Sequence, residues 1–530
     1  MNETIANNAL PWESSPRWQL IATCSAIFGL ALSARAFFQP NDLSNFPAVG
    51  KGSLWARRKQ YASGSAWELY EEGYRMIKKG ADYFRIATTA PAETVVVSSK
   101  FLAELKRLPD DVMSMSEAIS EILQSPYTKV PPTIPGLPHI VKSSLTPASV
   151  RLNPMVSQEV HDAMALELPQ TKDWTEVNIN EKVLRIIAMA SGRVVVGPEL
   201  CRNEQYLDAV VNYNIDVMTA AYIVALVPQW IRPFVAPFLP YIKRLDKRLK
   251  DATSLLRSVI TTRQEAAGNL NTEKPDDMLQ WLIDAQSAEE KVDIQKLAEM
   301  QLSAIFAAIH TTSLVTTNAS LCLSDMYKFY TLASMPEIVP ILREDVEQAL
   351  ATSNGEFINL PMQNMKKLDS FLEEILRFHT LGAGSFKRKV LKPFNLSNGQ
   401  HIPAGVYLEL PAGGIAYDED IFPDPKTFDA LRFYKLRQSK DKEASRTKAA
   451  EVVASSQFVG VGATSLTFGY GRHACPGRFF AANEIKMILA VALLLYEIKN
   501  PPGINGRHKN LLHGSHVSFV LPQYSPHTNA

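Results

Sequence analysis

The sequence predicts a mainly helical protein with small β-sheets: one large domain behind an N-terminal membrane-spanning helix. Three observations carry that reading. Residues 276–335 hold neither glycine nor proline, and Asp293 can cap a long helix whose middle, residues 302–314, is dominated by small and apolar side chains. Such a helix must run through the core. A second helical pattern, FFAANEIKMILAVALL, covers residues 479–494. Strand signals are few: the β-branched run Thr94-Val95-Val96-Val97, and two short runs flanking Asn398-Gly399, a pair that favours a hairpin turn.

Taken in chain order, residues 1–17 form a short segment with two acids, Glu3 and Glu13, and one base, Arg17. Residues 18–34 read WQLIATCSAIFGLALSA, and at about 1.5 Å per residue they reach roughly 25 Å, enough to cross a bilayer core. Phe37 and Phe38 extend the span to 38. The competing reading is a cleaved signal peptide, but the preceding acids make a poor n-region, so a retained anchor is expected. Arg35, Lys51, Arg57, Arg58 and Lys59 follow the span, and the positive-inside rule then places the body in the cytosol and residues 1–17 in the lumen. Residues 39–50 form a proline-containing hinge, and 51–530 the body. No internal repeat or Gly/Ser linker divides that body. The charged tract 435–454 reads as a solvated surface insertion.

Composition excludes several classes. Apolar residues make up 46% and charged residues 21% of the 530, close to the globular average, so disordered and polytopic membrane chains do not fit. Fifty-five Lys and Arg against 54 Asp and Glu leave a net charge of +1, and no nucleic-acid partner is indicated. Four cysteines (Cys24, Cys201, Cys322 and Cys475) are too few for a disulfide framework.

One of the four stands in unusual company. Phe468-Gly469-Tyr470-Gly471-Arg472-His473-Ala474-Cys475-Pro476-Gly477-Arg478 combines three glycines, which let the backbone approach something flat, with a helix that starts just after the sulfur. Free N–H groups and the positive end of the helix favour thiolate over thiol, and a thiolate is a metal ligand. With no CxxC and no second cysteine nearby, zinc and iron–sulfur sites are set aside, and a single axial thiolate to haem iron remains.

This segment resembles the F-x-x-G-x-R-x-C-x-G signature of the cytochrome P-450 superfamily of haem-thiolate monooxygenases. Phe468, Gly471, Cys475 and Gly477 match in place. His473 stands where the family has an arginine that pairs with a haem propionate, and Arg472 lies one residue earlier. Three further motifs occur in family order. Glu374 and Arg377 make an E-x-x-R pair, and residues 422–433 resemble the segment whose terminal arginine, Arg432, joins that pair in a buried network. Ala307-Ala308-Ile309-His310-Thr311-Thr312 resembles the A/G-G-x-D/E-T stretch that delivers protons to bound oxygen, with His310 in place of the acid and Thr311 matching. Arg388, in a strand, and His139, before a helix start, are candidate propionate partners by the same resemblance.

The resemblance implies the cytochrome P-450 fold for residues 51–530, with haem b as cofactor and Cys475 as axial ligand of its iron. It assigns proton delivery to Thr311, with His310 and Thr312 beside it. No dinucleotide loop or P-loop is fused: Gly460-Val461-Gly462 lacks the third glycine. An NADPH-cytochrome P-450 reductase is therefore the implied partner, with O2 as co-substrate and the endoplasmic reticulum membrane, crossed once, as location. Walls expected near residues 113–138, Phe306, Ala307, 381–386 and 513–517 are mostly apolar or small, implying a hydrophobic substrate. The chain looks most like filamentous-fungal members such as ent-kaurene oxidases, implying a terpenoid, meroterpenoid or indole diterpene in secondary metabolism. Two rivals stay open: a haem-thiolate isomerase or dehydratase that uses no O2, which His310 makes conceivable, and a non-catalytic haem sensor.

Overall fold

A computed structural model describes residues 43–498 except 91, 135, 176, 268–273, 286–292, 321–334 and 439–455, together with the backbone of two short strands within 511–518. The expected lumenal segment, the anchor at 18–38 and the start of the hinge lie outside the described residues, as does most of the charged tract. The chain divides into two compact units, 1–47 and 48–530. In the first, residues 43–47 turn on a bond from the Phe46 N–H to the Leu43 carbonyl, 3.0 Å. The second unit carries everything that follows.

Helix α1 (Ala66–Lys78) buries Leu69, Tyr70 and Gly73. A side chain at Gly73 would meet the Phe84 ring at 2.4 Å, so glycine alone lets α1 lie on β1 (Tyr83–Ile86). Next comes β2 (Thr94–Val97), buried at every position, which is why its sequence runs β-branched without alternation. After β3 (Met113–Ser114), helix α2 (Met115–Ile122) starts where Ser114 Oγ accepts the Glu117 N–H, 3.1 Å.

The helical core is built from α3 (Thr146–Glu167), α4 (Ile179–Val195), α5 (Glu204–Leu226), α6 (Pro240–Ala267), α7 (Ile294–Ser320), α8 (Ile338–Ala351) and α9 (Lys366–Phe378). Asp293 Oδ1 accepts the Lys296 N–H at 3.1 Å, the cap expected of it. Residue for residue, α5 is long and apolar enough to cross a membrane, yet half of its most apolar stretch is buried and it packs on α6 and α7.

The chain then returns to the sheet. Strand β4 (Ser385–Val390) buries alternate residues, Phe386, Arg388 and Val390. Its register against the strand Tyr407–Leu410 slips between Ser385 and Arg388, where Phe386 takes a φ of 58°, so a bulge sets where Arg388 points. The hairpin β5 (Phe394–Asn395) and β6 (His401–Ile402) turns at Gly399, φ 84°, as Asn398-Gly399 predicts. With β7 (Tyr407–Leu410) the sheet order is β1-β2-β7-β4-β3, parallel only between β2 and β7.

A short α10 (Arg432–Gln438) and the apolar α11 (Arg478–Leu495) complete the body, and α11 packs on α3, α7 and α8. Ile187 of α4, Ile309 of α7, and Met487 and Leu489 of α11 are fully buried. Each such side chain contributes about 1.5–3 kcal/mol. Strands β8 (Leu511–His513) and β9 (His516–Ser518) pair as a hairpin, and the side chains of the expected pocket wall there lie outside the described residues.

Candidate functional site

The loop before α11 closes on itself. Gly469 and Gly471 have φ of 74° and 67°, and a side chain at Gly469 would meet the His473 carbonyl at 3.0 Å. These turns bring the Cys475 N–H onto the Phe468 carbonyl, 2.8 Å, while Phe468 stacks edge-to-face on Phe458, centroids 6.0 Å apart. Gly477 is the N-cap of α11, and the amides of Gly477 and Arg478 donate toward the Cys475 sulfur. Arg478 also binds the Cys475 carbonyl through Nη1, 2.9 Å.

The helix end alone does not make a thiolate. Burial pushes the Cys475 thiol up, and the two amides and the Arg478 charge pull the other way without prevailing. A sulfur that is partly buried and aimed at by two N–H donors, yet has no second ligand beside it among the described residues, suits a group that brings its own positive charge. Among the described residues no three His, Cys, Asp or Glu side chains converge to hold a bare metal ion.

A cationic cleft supplies a second test of fit. Arg388 is 5% exposed and has no salt bridge among the described residues; its Nη1 donates to the Lys387 carbonyl, 2.9 Å, and its guanidinium stacks on Phe386, 4.2 Å. Burial lowers its pKa to about 10. Arg388, Arg472 and His473 line one small cleft. A buried guanidinium without a carboxylate, beside two more nitrogen bases, fits the acid groups of a porphyrin.

His473 is not simply a substitute for the family arginine. Its Nε2 lies 2.9 Å from Asp110 Oδ1, the same oxygen that Arg472 Nη2 approaches at 2.7 Å. Sequence reasoning missed Asp110, and nothing local marks it. His139, the other propionate candidate, is exposed in a short helical turn and makes no hydrogen bond among the described residues.

The expected charge network is complete. Glu374 is fully buried and takes a two-pronged pair from Arg377, Nε and Nη2 each at 2.8 Å. Arg432 Nε reaches both Glu374 oxygens at 3.2 Å, and the Asp429 N–H adds a bond of 3.0 Å. The remaining guanidinium hydrogens go to carbonyls: Arg377 to Ala416 and Pro425, Arg432 to Pro423, Asp424 and Thr427. A neighbouring pocket, lined by Glu373, Thr380, Ser385 and Thr467, touches neither Cys475 nor Thr311.

On α7 the three candidate residues separate. Between residues 297 and 319 Ala307 and Thr311 alone are exposed, one turn apart. Thr311 Oγ1 rests on the Ala307 carbonyl, 2.7 Å. Each residue turns the helix by about 100°, so the neighbours of Thr311 leave that stripe. Thr312 is 2% exposed in the core, and His310 turns to α5, where its Nε2 meets the Val211 carbonyl at 3.2 Å. His310 and Thr311 therefore have different neighbours.

Comparison with known proteins agrees with this geometry. Residues 139–527 match the sequence profile of the Cytochrome P450 family. The chain is 39% identical over 431 residues to cytochrome P450 monooxygenase ATR3 of Stachybotrys chlorohalonatus, covering 81% of this chain and 87% of that one. It is 35% identical to cytochrome P450 monooxygenase BOA4 of Botryotinia fuckeliana, covering 82% and 83%, and 32% identical to AtmP of Aspergillus flavus, covering 87% and 84%. The fold resembles that of retinoic acid bound cyanobacterial CYP120A1 with a TM-score of 0.63 at 16% identity, over 89% of this chain and 96% of the other. On the cysteine loop, the closed charge network and these likenesses together, the chain belongs to the cytochrome P450 family of haem b monooxygenases.

Proposed function

We propose that Cys475 is the axial thiolate of the haem and that the enzyme oxidises an unactivated carbon of a hydrophobic small molecule, a terpenoid, meroterpenoid or indole diterpene of fungal secondary metabolism. The observation that carries this is the Cys475 loop, where a tight turn and two amides aim one sulfur outward from the start of α11. When bound, the haem supplies oxygen activation and oxygen insertion into a C–H bond.

The chain's own residues do the rest. The Gly477 and Arg478 amides temper the sulfur's charge, and Arg388, Arg472 and His473, which line one cleft, would hold the carboxylates of the bound haem. Ala307 leaves room beside Thr311, and Thr311 Oγ1 holds or passes a proton. The Glu374 network keeps the segment before the cysteine in register.

Electrons come from a separate NADPH-dependent reductase at the endoplasmic reticulum membrane. The apolar run 18–38 supports the membrane location. So does a second feature: Leu226, Trp230, Phe234 and Phe238 are 64%, 66%, 74% and 73% exposed within thirteen residues of chain, an apolar patch that a lipid surface would cover. The test is Cys475→His. The variant should lose turnover and the thiolate-type spectrum of the reduced carbon monoxide complex, and survival of that spectrum would show that another side chain holds the iron.

A further inference from the structure

Asp110 stands where the two chain segments that carry the bases of the small cleft meet. Just after it, the Val112 and Met113 N–H groups both return to the Pro109 carbonyl, 3.1 and 3.0 Å, a turn that delivers the chain into β3. Strand β3 pairs antiparallel with β4, Met113 opposite Val390, and the Leu391 N–H adds the Val112 carbonyl at 2.8 Å. One strand pairing therefore fixes both Asp110 and Arg388. The cysteine loop supplies the other contacts. Arg472 Nη2 reaches the Leu108 carbonyl at 2.6 Å and Asp110 Oδ1 at 2.7 Å, and His473 Nε2 meets that same oxygen at 2.9 Å.

A single ring nitrogen cannot both donate to Asp110 and accept from Arg472 Nε, 3.1 Å away, and the ionised carboxylate is the stronger partner. Burial pushes the Asp110 carboxyl up, but the bonds from Arg472 and His473 outweigh it and hold it below the usual carboxylate range. The Asp110 charge also reaches Arg388, where it favours the charged guanidinium that burial opposes. One acid thus acts on three bases that line one cleft. The neighbouring acid does not share this work: Asp111 pairs with Lys392 Nζ at 2.7 Å, and both side chains are exposed.

We infer that Asp110 is a positioning residue for the haem seat: it holds Arg472 and His473 at the cleft beside Arg388, offsets one of their positive charges, and so keeps the reduction potential of the bound haem low. Reduction adds an electron to the haem, so positive charge near its acid groups favours the reduced form and a nearby carboxylate opposes it. The inference rests on the proposed haem site, and its test separates the two. Full-length, haem-loaded wild type, D110N, D110E and D111N are first checked for the thiolate-type carbon monoxide spectrum, which tests the haem site alone. The ferric–ferrous balance is then titrated by absorbance against dye mediators, and haem transfer to apomyoglobin is timed.

In D110N the ferrous-to-ferric ratio at a fixed potential should rise about fivefold, the effect of one unit charge removed from partly solvated surroundings. Haem transfer should quicken about fivefold as Arg472 and His473 lose a charged acceptor. D110E keeps the charge, and D111N removes one that touches none of the three bases, so the ratio in both should stay within about twofold of wild type. Faster haem transfer in D110N with an unmoved potential would show a purely structural role and overturns the inference, as does a D111N shift equal to that of D110N. A wild-type protein without the thiolate-type spectrum overturns the haem site itself, and the inference falls with it.

Discussion

At Glu374 the cost of a single atom group can be argued directly. The carboxylate is fully buried and holds Arg377 and Arg432 at once, so Glu374→Ala strands two guanidiniums with no counter-charge. Breaking a buried pair from one side costs about 3–5 kcal/mol. The variant should bind little haem and unfold at a markedly lower urea concentration, and normal haem content would show that the network does not support the seat. Glu484 is the opposite case. It sits fully buried on α11, where among the described residues Ser191 Oγ alone partners one oxygen, 2.7 Å, and burial raises its pKa to about 8. Its folded pKa lies above its unfolded one, so the native state loses stability as pH rises from about 4.5 to about 8. Glu484→Gln keeps an acceptor for Ser191 and cannot ionise. Its melting temperature should match wild type near pH 4.5 and exceed it increasingly toward pH 8; a constant gap across that range would mean that Glu484 ionises in the native state as readily as in the unfolded chain.

At the scale of elements, α7 presents two stripes: 307/311, exposed, and 306/310, turned to α5. Thr311→Ala removes the hydroxyl and leaves the helix bond intact, so haem content should hold while peroxide release rises severalfold per NADPH consumed; Thr311→Ser should restore the coupling. Unchanged coupling in the alanine variant would take Thr311 out of proton handling. What could be read from sequence follows from the range of the forces. The Asp293 cap, the buried run Thr94–Val97 and the Asn398-Gly399 turn are set by residues within four positions, and all three appear as expected. The Glu374 network joins residues 58 apart, yet it was legible because a known family motif fixes both ends. The direction of His310 was not, because it depends on which helix lies beside α7. Asp110 was not either: it reaches Arg472 and His473 across more than 360 residues, and no local pattern marks an exposed aspartate as their partner.

For the whole molecule, the distribution of exposed apolar surface decides how the body would meet the proposed bilayer. Most large side chains of α5 face α6 and α7 or the core, but from Leu226 to Phe238 the chain turns aromatic residues outward. Exposed apolar patches mark surfaces that a partner or a membrane covers, and Trp and Phe side chains favour the headgroup boundary. If three of them insert, each contributes about 1.5–2 kcal/mol, together enough to change a partition constant by at least a hundredfold. A full-length variant whose apolar run 18–38 is replaced by a Gly/Ser segment should therefore still sediment with phosphatidylcholine vesicles. Adding Trp230→Ser, Phe234→Ser and Phe238→Ser should release it to the supernatant, with haem content unchanged because none of the three touches Cys475 or the Glu374 network. If replacing 18–38 alone frees the protein, the patch does not contact lipid and membrane attachment rests on the N-terminal span. If the triple variant with the span replaced still sediments, a different surface makes the contact, and the orientation of the body on the membrane must be built from that surface instead.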